Sequence, residues 1–240
     1  LEMNISHRFG KLNGGDDSPF YQLFGLDQAN MRIGLQYGVQ DWLTVGVGRA
    51  NIGKTYDGFV KAKFLRQSTG KNPMPVTMAL VGGTALKTLK IPGRDFELDE
   101  RMAYTGQLLI ARKFNERFSL QLMPTYVHRN VVPLATDDNG VFALGAGGRI
   151  KLTKGVSLNL EYYYVISEQT SNDARNSLSV GFDIETGGHV FQLFFTNSQG
   201  MTENYFVPGD DPSISNGDWS NGDVHFGFNI SRVFNVNSRR

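Results

Sequence analysis

Val156-Ser157-Leu158-Asn159-Leu160-Glu161-Tyr162-Tyr163-Tyr164-Val165-Ile166 alternates with a period of two. Val156, Leu158, Leu160, Tyr162, Tyr164 and Ile166 fall on one face of an extended strand; Ser157, Asn159, Glu161 and Tyr163 fall on the other. The pattern recurs from end to end. Leu178, Val180, Phe182 and Ile184 oppose Ser177, Ser179, Gly181 and Asp183, and Val224, Phe226, Phe228 and Ile230 oppose His225, Gly227, Asn229 and Ser231. Twelve strands are read this way, at 1–10, 27–39, 42–50, 55–67, 74–86, 100–114, 117–129, 140–152, 156–168, 175–186, 189–198 and 223–234. Many exceed the ~5–6 residues of an ordinary soluble strand and match the ~9–11 that a tilted strand needs to cross a bilayer. The expected fold is all-β: one domain over 1–240, a 12-stranded antiparallel transmembrane barrel, with ten to fourteen strands allowed.

The connections sharpen this. Tight links at 40–41, 115–116, 153–155 and 187–188 alternate with long ones at 11–26, 91–99, 131–139 and 200–222. Short turns at one rim, long loops at the other and both termini on the short side form the outer-membrane plan, with the termini periplasmic. The links at 51–54 and 68–73 fit it less well. A two-residue turn at Gly187-Gly188 sets Thr186 opposite His189, Asp183 opposite Gln192 and Ile184 opposite Phe191, so polar meets polar and apolar meets apolar. A soluble sandwich would bury its apolar face and show no systematic loop alternation.

Composition agrees by exclusion. Mean hydropathy is −0.28, and no run approaches the ~18–20 apolar residues of a membrane helix. Aromatics make up 12% of the chain, against a disordered polymer. The net charge of +1 offers no global field for nucleic acid, and no nucleic-acid partner is expected. With no cysteine, disulfides, thiolate catalysis and Cys-ligated metals are excluded. The segment Leu1-Glu2-Met3-Asn4-Ile5-Ser6 has neither a basic nor an apolar leader character, which fits an exported chain whose signal peptide is already removed.

The outward face carries two aromatic belts. Tyr37, Phe64, Phe114, Phe118 and Phe234 fall on the short-turn side; Phe9, Tyr56, Tyr104, Tyr126, Phe142, Tyr164 and Phe226 fall on the long-loop side. Rings with an apolar body and a polar edge favour the headgroup level. The inward face carries Arg8, Arg32, Lys61, Lys63, Arg149, Glu161 and Asp183, with Glu2, Lys113, Lys151 and Glu185 on the same parity. A charge inside a barrel must meet water or a partner. Two readings follow: a narrow polar channel with a slight anion preference, or a lumen filled by its own ion pairs, with Arg149 diagonal to Glu161. Small inward residues at Gly46, Gly48, Ala143, Gly145 and Gly147 either leave a solute path or make room for long neighbours.

Catalytic chemistry finds little footing. His225, Asn229 and Ser231 share a face, yet His225 and Ser231 stand ~20 Å apart along one strand at ~3.3 Å per residue, far beyond the ~3 Å a triad requires. His7 and His128 face outward without a neighbouring serine. No catalytic residue, cofactor or metal ligand is therefore assigned. The loop from Gly209-Asp210-Asp211-Pro212 to Asn216-Gly217-Asp218-Trp219-Ser220-Asn221-Gly222-Asp223 clusters carboxylates, as a Ca²⁺ site would, but lacks EF-hand spacing. Its Asn-Gly and Gly-Asp pairs are ordinary turn chemistry.

Several segments carry a resemblance: GLDQANMRIGLQYGV at 25–39, TYDGFVKAKFLRQ at 55–67, LLIARKFNERFSLQLMPTYVHRN at 108–130, FALGAGGRIKLTK at 142–154, GFDIETGGHVFQLFFTNSQGM at 181–201 and DVHFGFNISRVF at 223–234. Together they resemble an outer-membrane β-barrel family of Bacteroidota known by a domain-of-unknown-function label. The resemblance implies export and insertion into outer-membrane lipid, and supplies no catalytic residue or substrate. Phe234 resembles the terminal aromatic read by the barrel-assembly machinery, although Asn235 to Arg240 follow it. The expected function is a pore for small polar or anionic solutes; the alternative is an accessory subunit with a plugged lumen, docking an outer-membrane or periplasmic protein.

Overall fold

The alternating runs form β1 (Glu2–Lys11), β2 (Ala29–Gln40), β3 (Leu43–Ala50), β4 (Thr55–Leu65), β5 (Thr77–Lys87) and β6 (Met102–Lys113). They continue as β7 (Phe118–Arg129), β8 (Gly140–Lys151), β9 (Val156–Val165), β10 (Leu178–Thr186), β11 (His189–Thr196) and β12 (His225–Val233). In the computed structural model, which describes residues 1–132, 134–135, 137–167, 174–211 and 214–235, each strand pairs with its sequence neighbours and β12 returns to β1, closing a twelve-stranded barrel. Closure pairs every edge, so the wall can sit in lipid without orphaned backbone groups. Among the described residues no helix is long and apolar enough to cross a membrane.

The Gly187-Gly188 turn holds the expected register, with Thr186↔His189, Asp183↔Gln192 and Ile184↔Phe191. Gly188 sits at φ 112°, a conformation side chains resist, which is why glycine suits this turn. At the seam Glu2 faces Val233, Ile5 faces Ile230 and Arg8 faces Gly227. The Phe234 amide donates to the Leu1 carbonyl at 2.7 Å, so both strand ends meet at the short-turn rim.

Several strand ends are shorter than the sequence pattern suggests, for local reasons. β5 starts at Thr77 rather than 74, because Pro73 and Pro75 cannot donate to a ladder. β10 starts at Leu178 and β11 ends at Thr196, because two asparagines replace the ladder there. The Val165 amide donates to Asn176 Oδ1 at 3.0 Å, and the Leu178 amide to Asn197 Oδ1 at 2.8 Å. β9 ends at Val165; position 168, expected to close it, lies outside the described residues, as do Pro212 and the tail 236–240.

The wall is inside-out relative to a soluble domain. Leu35, Val47, Val60, Leu80, Leu122, Leu160, Phe182 and Leu193 are exposed on the outer surface. The buried apolar cluster is instead in the lumen, where Met123, Val127, Ala143 and Tyr163 of the wall meet Val207 of the loop between β11 and β12. That loop turns inward through a short helix, α1 (Glu203–Phe206), and covers the long-loop mouth.

Candidate functional site: the lumen and its cover

The inward charges divide by height. Near the long-loop rim Arg32 clamps Asp57 of β4 with both arms of its guanidinium, Nε donating to Oδ1 at 2.9 Å. The clamp needs a smooth wall: a Cβ at Gly48 would collide with Arg32, and one at Gly46 with the Phe59 ring. The small inward residues thus make room for neighbours, and those neighbours are Arg32, Phe59 and, beside Gly145, Tyr163.

The cover is held from several sides. Arg8 Nη1 donates to the Ser198 carbonyl at 2.9 Å and also to the Gly200 carbonyl, with its guanidinium over the Phe194 ring. Thr55 Oγ1 and Tyr205 Oη share a hydrogen bond of 3.0 Å. Four aspartates of the cover then reach four different points of the rim. Asp210 pairs with Arg129 at the end of β7 (Nη2 to Oδ2, 2.7 Å) and Asp211 with Lys87 at the end of β5 (3.6 Å). Asp218 pairs with Arg175 ahead of β10 (3.6 Å) and Asp223 with Lys11 at the end of β1 (3.0 Å). The carboxylates weighed as Ca²⁺ ligands are therefore dispersed around a ring of cations. No group of three or more metal-binding side chains forms among the described residues.

Titration follows environment. Hydrogen bonds from the Ser220 hydroxyl and amide, with Arg175, hold the Asp218 carboxyl below its ordinary range. At Asp223 burial pushes upward, but donors from Asn13 and Lys11 outweigh it and the net shift is downward. Glu203 moves the other way. Burial pushes its carboxyl up and the Asp57 charge adds, against its helix backbone and Arg32.

Below the cover the lumen is hollow. A cavity of about 590 Å³ is lined by Arg8, Lys113, Arg149, Glu161 and Asp183 among others. One of about 250 Å³, lined by Lys61 and Lys63, shares Thr77, Ala111 and Gln121 with it. The two adjoin one another toward the short-turn rim. A third, of about 320 Å³, lies above, beside Arg32, Asp57, Phe59 and Glu203. Arg149 faces Asn159 and so stands diagonal to Glu161, as expected, but its side chain pairs instead with Glu185 of β10 at 2.6 Å. Asp183 accepts from Gln192 at 2.8 Å.

On the outside, Tyr37, Phe114, Phe234, Tyr104, Tyr126 and Tyr164 are exposed at the two ends of the strands, and Phe118 stacks on Phe114. Arginines lean on these belts: Arg112 over Phe114, Arg232 over Phe234 and Arg49 over Tyr56, each within 5.3 Å of the ring centre. This is a membrane-bound β-barrel. The chain belongs to the family described as Membrane bound beta barrel domain (DUF5777), whose model matches residues 1–234. No curated protein matches it in sequence. Among solved structures it is similar to the NanC porin (TM-score 0.59, 9% identity) and the KdgM porin (TM-score 0.55, 10% identity), each alignment covering 98% of this chain and 100% of the other. LpxR from Salmonella typhimurium aligns at a TM-score of 0.44 with 11% identity, over 98% of this chain and 100% of its own.

His225 Nδ1 sits 2.8 Å from the Phe9 carbonyl and Asn229 donates to Gln192 at 2.9 Å; with Ser231 they remain strung along β12. His7 stacks on Phe228 and His128 lies near Tyr126, both on the membrane-bound barrel's outer face. Sequence reading passed over Asp57 and Phe59, although they share parity with Lys61 and Lys63 on β4. It also missed Arg129 and Glu203, and weighed Asp210 only as a Ca²⁺ ligand and not as the partner of Arg129.

Proposed function

We propose that this membrane-bound barrel is a narrow pore for small polar solutes, favouring anions, in a bacterial outer membrane, of a Bacteroidota species on the family resemblance. Its termini and short turns face the periplasm, its belts sit in outer-membrane lipid, and Phe234 is the residue presented to the barrel-assembly machinery. The observation that carries the reading is the pair of adjoining cavities in the lumen whose linings include Lys61, Lys63, Lys113 and Arg149 together with Glu161 and Asp183. Open space lined by charge suits the passage of polar solutes better than it suits a merely structural wall. That two structures of the same fold are named porins points the same way. No enzymatic step is proposed: His225 Nδ1 meets the Phe9 carbonyl, and Ser231 lies six residues further along β12.

A second reading is an accessory subunit with a closed lumen, docking a membrane or periplasmic protein. It is favoured by one observation: the cover is pinned to the rim by four ion pairs. Planar-bilayer recording separates the two. For the pore, a variant with residues 199–222 replaced by a short Gly-Ser link conducts more than the full chain. In it, Lys61→Glu moves the reversal potential in a salt gradient toward cation selectivity. Silence of both the full chain and the shortened variant at every voltage overturns the pore and leaves the accessory subunit.

A further inference from the structure

The long loop between β1 and β2 displays a dense cluster of large apolar side chains. In Ser18-Pro19-Phe20-Tyr21-Gln22-Leu23-Phe24-Gly25-Leu26 the large apolar side chains point to the surroundings: Phe20 is 83% exposed, Tyr21 74% and Leu23 53%, with Phe24 and Leu26 also exposed. The polar side chains bond within the loop itself. Ser18 Oγ accepts from the Tyr21 amide at 3.2 Å, Gln22 Nε2 donates to Asp17 at 2.6 Å, and Gln28 Nε2 donates to Gln22 at 3.4 Å. Five large apolar side chains exposed together, beside polar groups that bond to one another, favour apolar surroundings over water.

The backbone is held in this display. Leu23 and Phe24 both take positive φ, 45° and 54°, which side chains ordinarily avoid. The Phe24 amide is fixed to the Pro19 carbonyl at 2.7 Å, and Phe20 and Phe24 meet edge to face with ring centres 5.2 Å apart. Height is set by the base of the loop. Gly25 packs against the backbone of Gly10 and Lys11 so closely that a Cβ there would overlap the Gly10 carbonyl. Gly10 follows Phe9, whose ring stacks on Phe226 in the long-loop belt. The exposed cluster is therefore rooted about one residue, ~3.3 Å, beyond the belt.

We propose that residues 18–26 are a membrane-binding lip: Phe20, Tyr21, Leu23, Phe24 and Leu26 enter the lipid interface beside the long-loop rim and extend the aromatic belt outward at the β1–β2 corner. The occupant is lipid because the cluster continues a surface already in contact with lipid and carries no cation among its nine residues. This inference rests on the membrane-bound barrel and is independent of conduction through it.

The chain has no cysteine, so single cysteines can report on position. Phe20→Cys, Tyr21→Cys and, as a reference on another long loop, Asp95→Cys are labelled with an environment-sensitive fluorophore after folding into phosphatidylcholine vesicles. Folding is checked by retention of β-sheet circular dichroism. The labels at 20 and 21 are expected to emit blue-shifted light, to be quenched by spin-labelled lipid and to resist aqueous iodide, whereas the label at 95 shows the opposite. Labels at 20 and 21 that match 95 overturn the proposal. So does a blue shift that appears only at high protein density with energy transfer between copies, which would make this surface a contact between barrels.

Discussion

Arg129 and Asp210 show what one pair of residues does here. Their side chains are 8% and 4% exposed, and the pair joins a strand end to a loop 81 residues further along. Removing one partner strands the other charge in a buried site, a loss of about 3–5 kcal/mol that replacing both with apolar residues of similar size largely avoids. Arg129→Met should therefore release the cover, read as faster protease cleavage within 197–224, and Arg129→Met with Asp210→Leu should restore much of the resistance. Neither partner's role was legible beforehand. Arg129 lies on the inward parity of β7, but whether an inward cation meets water or a loop depends on where the loop folds. Asp57 is the contrasting case: its parity with Lys61 was readable, and only its partner, reached across β3, was not.

At the level of an element, the period of two is the strongest signal in the chain, because lipid outside and water inside impose opposite demands on successive residues. β7 shows it within neighbours: Leu122 lies 48% exposed on the outer face, while Gln121 lines the two adjoining cavities. Leu122→Arg should lower stability in bilayers by about 2–4 kcal/mol, whereas Gln121→Arg should cost little and change conductance instead. Urea midpoints of the two variants in vesicles test this. Strand centres were readable for that reason. Their ends were not, because Asn176 and Asn197 substitute side-chain amides for ladder partners, and such local substitutions leave no periodic trace.

For the whole molecule, the cover carries two titrations of opposite sign. Asp218 and Asp223 sit below their ordinary range, so their contribution to docking is complete above that range and is lost as pH falls through the lowered values. Glu203 sits above its range. Its burial favours docking while the carboxyl is protonated, and that contribution is lost as pH rises through the raised value. Docking should therefore be tightest in the mildly acidic range and loosen on either side, measured as protease accessibility of 197–224 against pH. Glu203→Gln should remove the alkaline limb and keep the acid one; an unchanged alkaline limb would show that another group governs it.

The seam between β1 and β12 sets the order in which this wall can be completed. Every other pairing joins strands that follow one another along the chain, and each can form as its hairpin emerges. The pairing of Glu2 with Val233 joins residues 231 positions apart, so it must come last and at the greatest loss of chain freedom. Until then a half-built barrel carries two long open edges, on β1 and on the latest strand, each able to recruit a foreign strand. The nine residues of the last strand, His225–Val233, close both edges at once. A defect there leaves the other eleven strands intact and still yields no barrel, which makes this last segment the commitment step of the molecule's assembly.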